Sequence, residues 1–298
     1  MPPLTSLVLA LALAAALSAC GATGKSASGS ADGGGTLSVA AGFYPYEFVT
    51  ARVGGPDVEV TNLTQPGGEP HDLELTPQQV AALTETDLVV YSRGFQPAVD
   101  EAVDQQAADR AFDVLTAVEL RDGEGGQAGG DPHVWLDPSR LATVATAVAE
   151  QLAERAPERA AAFRERAGTL ATELEALDDQ LKASLASCER RQIVTSHDAF
   201  GYLAEAYGLE QVSIAGLSPD DEASPKRLAE VAELAKDTGV TTIFFEDLVS
   251  PKVAESLARE VGAQATVLSP LEGAPETGDY LTAMRANLAT LRTALGCT

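Results

Sequence analysis

Short runs rich in β-branched and aromatic residues recur along the chain, each followed by a turn and then by a segment with helical periodicity. Such alternation of strands with helices predicts parallel α/β architecture. The pattern occurs once before residue 120 and again after residue 190. The predicted strands are Leu37–Ala41, Val58–Leu63, Asp87–Tyr91, Gln192–Thr195, Thr241–Phe245 and Ala265–Leu268, and the predicted helices are Thr76–Leu83, Pro97–Ala107, Ser224–Thr238 and Pro251–Val261.

The longest helical pattern lies between these two units, from Pro157 to Ala186. Its apolar residues recur at steps of three and four, which marks one face of an α-helix. About 30 residues at 1.5 Å each give a rod of roughly 45 Å. We therefore predict an α/β protein of two lobes, each with a parallel sheet flanked by helices, joined by one long rigid helix. The apolar positions are Phe163, Ala167, Leu170, Leu174, Leu177, Leu181 and Leu185.

The N-terminus is an apolar segment. The first nineteen residues contain no Asp, Glu, Lys or Arg, and Leu7–Leu17 is almost wholly Leu, Val and Ala. This length is typical of the centre of a signal peptide, and it is shorter than the roughly 20 apolar residues that a transmembrane helix needs. A stretch rich in Ala, Ser and Gly follows from Gly21 to Gly35, and its composition is typical of a flexible tether.

The apolar segment ends in Leu17-Ser18-Ala19-Cys20, which resembles a bacterial lipobox. The resemblance implies cleavage before Cys20 and acylation of its sulfur, which would anchor the mature protein to the bacterial cell membrane, outside the cytoplasm. An ordinary secretory signal is the alternative. The predicted boundaries are 1–19 for the signal peptide, 20–35 for the tether, 36–156 for the N-terminal α/β lobe, 157–187 for the linking helix and 188–298 for the C-terminal α/β lobe.

The overall charge narrows the class of partner. The formal net charge of −24 argues against binding to nucleic acid and against a basic membrane-binding patch. Hydrophobic residues make up 45% of the chain, which is ordinary for a globular protein. We expect the folded part to be a monomer.

The three cysteines of the chain also suggest a pairing. If Cys20 carries lipid, Cys188 and Cys297 remain as an even pair in an oxidising compartment, which favours one disulfide between them. Two free thiols or two metal ligands are the alternatives. The second of these is weak, because the pair lacks the close CxxC spacing of a zinc–sulfur site.

The chain has three histidines, and each lies in a loop: His71, His133 and His197. At least two of these loops follow predicted strands, and in open α/β sheets the carboxyl ends of the strands line the crevice where ligands bind. Neutral imidazole is a good ligand for zinc, copper, iron or nickel. Three imidazoles leave one position of a tetrahedral site open. The spacing alone does not choose among three acidic candidates for it, namely Glu246, Asp247 and Glu272.

Five segments in order resemble the solute-binding lipoproteins of zinc ABC importers, and the similarity runs from about Leu37 to Leu295. The resemblance implies two α/β lobes joined by a single long helix, with a metal between the lobes. It also implies that the protein is not an enzyme and that it passes Zn²⁺ to an ABC transporter permease. The segments are Pro70–Pro77, Asp131–Pro138, Thr195–Leu203, Phe244–Glu246 and Ser269–Glu272.

When the metal ligands of the family are matched to this sequence residue by residue, the resemblance implies that His71, His133 and His197 are metal ligands. Manganese-binding relatives usually have Glu at the third of these positions, so His197 favours zinc. Many relatives have Asp where this chain has Ser269, and others use a Glu three residues later. We therefore favour Glu272 as the fourth ligand over a water held near Glu69.

Four further expectations follow. Asp72 and Asp198 can orient the neighbouring imidazoles or cap the helices that follow. Because only neutral imidazole binds metal, affinity should fall below about pH 6.5. A manganese- or iron-binding protein of the same family is the leading alternative. A secreted zinc hydrolase is a weaker one, because the sequence contains no HExxH and no closely spaced histidine pair.

Overall fold

The computed structural model of the protein describes residues 35–121 and 130–298. The predicted signal peptide, nearly all of the predicted tether and Cys20 lie outside these residues. Within the described part of the chain, no helix is both long enough and apolar enough to cross a bilayer.

Two parallel sheets of four strands each form the frame of the molecule, as the sequence predicts. The first lobe is built on a sheet with the strand order β2-β1-β3-β4, and the second lobe on a sheet with the order β6-β5-β7-β8. The strands are β1 Leu37–Ala41, β2 Val58–Asn62, β3 Leu88–Tyr91, β4 Ala111–Asp113, β5 Gln192–Thr195, β6 Glu210–Ser213, β7 Thr242–Phe245 and β8 Gln264–Val267.

Helices flank both sheets, and short 3-10 turns precede some of them. The α-helices of the described residues are α1 Tyr44–Gly54, α2 Pro77–Ala82, α3 Pro97–Gln106, α4 Pro138–Arg155, α5 Ala160–Leu185, α6 Gly201–Tyr207, α7 Pro225–Asp237, α8 Lys252–Val261 and α9 Tyr280–Leu295.

Both sheets reverse their strand order at one point. In the first sheet the chain goes from β1 outward to β2 and then returns to β3 on the other side of β1. The second sheet repeats this order, so that β5 and β7 are neighbours across the reversal. Ligands of open α/β sheets bind at the carboxyl ends of the strands beside such a reversal. The topology therefore favours ligand binding at the loops that follow β1, β3, β5 and β7.

One hydrophobic core runs through both lobes. Side chains of β1 and α1 in the first lobe belong to the same buried cluster as side chains of α6 and α9 in the second lobe. Smaller clusters cover the outer faces of the two sheets. Because burial of apolar surface is the main stabilising contribution to folding, a continuous core holds the lobes together as one body.

The long helix α5 lies within this shared core. All seven apolar positions of the predicted stripe, from Phe163 to Leu185, are buried. The helix packs on α4 and α1 of the first lobe and on α9 and α6 of the second. The predicted start at Pro157 falls instead in a 3-10 turn, Pro157–Arg159, which leads directly into the helix.

A disulfide joins Cys188 to Cys297. It attaches the end of the chain, just after α9, to the segment that leads from α5 into β5. The adjacent backbone supports the same junction, since the amide of Thr298 donates a hydrogen bond to the carbonyl of Ser187.

Candidate metal centre

Three imidazoles and one carboxylate converge at the boundary between the lobes. The Nε2 atoms of His71, His133 and His197 lie 3.4, 3.7 and 3.6 Å from Oε1 of Glu272. The centroids of the three rings lie 5.3 to 5.6 Å from one another. Two of these residues come from first-lobe loops and two from second-lobe loops, so the site exists only where the lobes meet.

The four converging atoms lack ordinary partners. Each is buried and has no hydrogen-bond partner within the described residues. Buried polar atoms are nearly always paired, so four unpaired ones facing each other need an explanation. Tetrahedral zinc with bonds near 2.0–2.1 Å would place its ligand atoms about 3.3 Å apart. The observed separations from Glu272 are close to that value, and nitrogen with carboxylate oxygen is a donor set that zinc accepts.

His133 is fixed by an aspartate two residues before it. Asp131 Oδ1 accepts a hydrogen bond from the backbone amide of His133 at 2.9 Å and lies 2.8 Å from its ring Nδ1. An Nδ1–H donated to Asp131 leaves the Nε2 lone pair free to face the site. Burial has the largest influence on the pKa of His133 and lowers it, although the Asp131 carboxylate opposes the shift.

His197 is held in the same way by a carboxylate from the neighbouring strand. It follows β5, and Glu246 follows β7, on the two sides of the strand-order reversal. Glu246 Oε1 lies 2.6 Å from Nδ1 of His197 and also contacts the hydroxyl of Ser196. Burial alone lowers the pKa of an imidazole, but the hydrogen bond and charge of Glu246, together with the nearby carboxylate of Glu272, raise the pKa of His197 to about 10.

His71 is the most accessible of the three imidazoles. It lies in the loop between β2 and α2, and its side chain is 8% exposed, whereas those of His133 and His197 are 0% exposed. Its ring packs edge-on against Phe95, with centroids 4.3 Å apart. It also lines a cavity of about 240 Å³ together with Arg93. Of the four converging residues, this cavity reaches only His71.

Glu272 is presented by a tightly held turn. The amide of Ser269 donates to Oδ1 of Asn287, and Nδ2 of Asn287 donates back to the carbonyl of Ser269, at 3.1 and 2.6 Å. Leu271 adopts a positive φ of 58°, which is uncommon for a residue other than glycine. Burial alone would raise the pKa of Glu272, but the nearby imidazoles of His197 and His71 hold that pKa well below its usual range.

The other acidic candidates have different positions. Glu246 contacts His197 on the side away from the converging atoms, and Asp247 accepts a hydrogen bond from the Ser269 hydroxyl at 3.1 Å. Glu69 lies beside the site, with Oε2 bonded to the amide of Asp72 at 3.0 Å and Oε1 buried without a partner in the described chain. Burial raises the pKa of Glu69.

Sequence reasoning did not identify the two carboxylates that orient imidazoles. Asp72 and Asp198 were the candidates, whereas the structure places Asp131 and Glu246 on the Nδ1 atoms of His133 and His197. Asp131 had a local signal, since it lies two residues before a histidine in the same proline-framed loop. For Glu246 the sequence offered only its position after a strand, which is equally compatible with direct coordination.

A family model matches most of the chain. The model described as "Zinc-uptake complex component A periplasmic", or ZnuA, matches residues 39–294. The chain is 35% identical over 288 residues to the zinc-binding protein AdcA of Streptococcus pyogenes serotype M6, covering 87% of this chain but 56% of that protein. It therefore spans little more than half the length of this relative.

Two further proteins match over nearly their full length. The high-affinity zinc uptake system protein ZnuA of Bacillus subtilis is 34% identical over 301 residues, covering 94% of this chain and 93% of that protein. The structure of the laminin-binding protein Lmb of Streptococcus agalactiae, described as bifunctional with adhesin and metal-transporting activity, superposes with a TM-score of 0.81 at 32% identity, covering 87% of this chain and 99% of that one. With a family model matched over more than half of its length, this chain belongs to the ZnuA family of periplasmic zinc-uptake components.

Proposed function

We propose that this protein captures Zn²⁺ between its two lobes and delivers it to the permease of an ABC importer. The ligands would be Nε2 of His71, His133 and His197 and a carboxylate oxygen of Glu272. The observation that carries the proposal is the convergence of four buried atoms that have no partner within the described residues. Membership in the ZnuA family and the zinc-binding relatives support the same cargo.

The donor set favours zinc over manganese. Imidazole suits zinc, copper, iron and nickel, whereas manganese prefers carboxylate, carbonyl and water oxygens. Three of the four converging atoms are imidazole nitrogens. Manganese or iron as the natural cargo is the second candidate, and for manganese the single carboxylate would have to outweigh the three nitrogens.

We propose a transport function and no catalysis. A catalytic zinc site keeps one position open for water or substrate, whereas a closed set of four protein ligands does not. Here four protein atoms surround the site, and the side chain of Glu272 is 1% exposed. An ion held in this way can be carried and released, but a substrate has little room to reach it.

We propose that the protein acts outside the cytoplasmic membrane, as a monomer anchored through lipid on Cys20. The apolar N-terminal segment and the Leu17-Ser18-Ala19-Cys20 sequence support this location. Labelling cells with radioactive palmitate tests it. Label is expected on the wild-type protein and not on Cys20→Ala, whereas equal labelling of the two would overturn the anchor.

The cargo is tested by equilibrium titration of the metal-free protein against a zinc-binding fluorescent chelator, repeated with manganese. One equivalent of zinc is expected to bind with much higher affinity than manganese. The proposal is wrong if manganese competes equally with zinc, or if the protein takes no zinc from the chelator.

A further inference from the structure

A tyrosine of the second lobe, Tyr202, forms hydrogen bonds with the backbone of two first-lobe residues, Arg121 and Asp131. The hydroxyl of Tyr202, in α6, accepts a hydrogen bond from the amide of Arg121 at 3.0 Å and donates one to the carbonyl of Asp131 at 2.8 Å. Tyr202 is fully buried, and burial raises its pKa to about 12, so the hydroxyl keeps the proton that it donates.

The side chain of Arg121 contacts Asp131 of its own lobe and two residues of α6 in the other lobe. Its Nη1 lies 3.1 Å from Oδ2 of Asp131, its Nε lies 2.7 Å from Glu205 of α6, and its guanidinium lies over the ring of Tyr202 at 5.5 Å. We call Arg121, Asp131 and Tyr202 the interlobe clasp. Both oxygens of the Asp131 carboxylate are engaged, since Oδ2 faces Arg121 and Oδ1 faces His133.

The residue before Tyr202 shows how closely the two lobes approach here. A Cβ atom added to Gly201 would lie 1.7 Å from Nη1 of Arg121 and 2.9 Å from Oδ2 of Asp131. The guanidinium and the carboxylate therefore occupy the space that any other side chain would need. Because the guanidinium is the end of a flexible side chain, Gly201→Ala can be accommodated by moving Arg121 away from Asp131.

The clasp links two of the proposed ligand loops. His197 lies five residues before Tyr202 on the connection from β5 into α6, and Asp131 orients His133 in the other lobe. We propose that Tyr202 and Arg121 are positioning residues of the zinc site, which act through Asp131 on His133. This inference rests on the zinc-binding function proposed above. A carboxylate held from both sides keeps the Nδ1–H tautomer of His133 and aims its Nε2 at the ion.

The test compares two tyrosines of the same helix. Tyr202→Phe removes the clasp hydroxyl, and Tyr207→Phe removes a similarly buried hydroxyl that contacts Asp178 at 3.1 Å, away from the converging atoms. Loss of a partner that orients a metal-bound imidazole lowers affinity by about 10–100-fold. We expect Tyr202→Phe to lie near the lower end, about tenfold weaker for zinc, and Tyr207→Phe to bind like the wild type.

A spectroscopic measurement separates positioning from general destabilisation. Cobalt(II) bound in place of zinc has d–d absorption that reports the geometry of its ligands. Tyr202→Phe and Gly201→Ala are both expected to change this spectrum, and Tyr207→Phe is expected to leave it unchanged even if it lowers the melting temperature of the metal-free protein.

The possible results distinguish the clasp from the function on which it rests. If the wild-type protein binds neither zinc nor cobalt, the proposed function and the clasp both fail. If the wild type binds zinc and Tyr202→Phe and Gly201→Ala match it in affinity and spectrum, the clasp alone is overturned. A spectrum altered equally by Tyr207→Phe would also overturn the clasp, because the effect would then come from α6 as a whole.

Discussion

The indole N–H of Trp135 donates a hydrogen bond to the backbone carbonyl of Pro270 across 2.7 Å. Trp135 lies two residues after His133, and Pro270 lies two residues before Glu272. The hydroxyl of Tyr280 in turn donates to the carbonyl of Trp135 at 2.6 Å. The first-lobe segment that carries His133 is therefore bonded directly to the second-lobe segment that carries Glu272, and the geometry of the site depends on both.

Trp135 is the only tryptophan of the chain, and its ring centroid lies 5.1 Å from that of His133. We predict that zinc binding changes its fluorescence, because an ion on His133 alters the charge beside the indole. The measurement is an emission spectrum during a zinc titration, with the chelator EDTA added at the end to reverse the change. An emission spectrum that stays constant while calorimetry records binding would contradict this arrangement.

Zinc should stabilise the folded protein through the three imidazoles. Ligand at 100 times its dissociation constant adds about 2.7 kcal/mol to the free energy of unfolding. We predict that His71→Ala, His133→Ala and His197→Ala each lose most of the zinc-induced rise in melting temperature at the same zinc concentration. The metal-free melting temperature of each variant serves as its own baseline. Variants that keep the full rise would show that the zinc is held elsewhere.

Glu246 should matter for affinity although it does not face the ion. Glu246→Gln replaces the carboxylate that holds Nδ1 of His197 at 2.6 Å, and we predict a loss of about 10–100-fold in zinc affinity. Glu210→Gln, which changes an exposed carboxylate at the start of β6, is the matched control and should bind like the wild type. Equal affinities for the two variants would remove Glu246 from the site.

The pKa of His197 predicts a proton exchange on binding. Its pKa of about 10 in the metal-free protein means that the imidazole is protonated at pH 7, and zinc must displace that proton. Because the pKa of His133 is lowered, His133 releases none. We predict the release of about one proton from His197 at pH 7. Calorimetry in two buffers of different ionisation enthalpy measures it, and a release of zero would contradict the prediction.

The same pKa determines how stability depends on pH. The pKa of His197 in the folded protein lies above the unfolded value of about 6.5. Its contribution to the stability of the metal-free protein is therefore fully present below about pH 6.5 and is lost as the pH rises through about 10. Zinc affinity should increase as the pH rises over that same interval. The weakening of binding expected below pH 6.5 is therefore one part of a pH dependence that extends up to about pH 10.

Much of the fold could be predicted because its signals are local. The stripe of α5 and the apolar runs of β1 and β5 are visible at their observed positions. The helix α1 was missed because most of its residues are buried, which leaves no polar face to mark a period. The edge strand β6, which is partly exposed, resembles a loop in composition. The helix α4 was not predicted, although Asp137, which caps it, stands directly before a proline.

The site could be predicted only in part. The three histidines stand out because the chain has no others, and the structure brings all three together with Glu272. The choice between Glu246 and Glu272 depends on which carboxylate meets the Nε2 atoms and which meets Nδ1. That difference arises from the packing of the turn after β8 against Asn287 and Trp135. The spacing of residues along the sequence does not reveal this packing.

The most direct measurement is anomalous X-ray diffraction from zinc-loaded crystals, with data collected on both sides of the zinc absorption edge. We predict a single anomalous peak about 2.0–2.2 Å from Nε2 of His71, His133 and His197 and from a carboxylate oxygen of Glu272. A peak at the acidic cluster of Glu69, Asp72 and Asp220, or imidazoles too far apart to share one ion, would contradict the account.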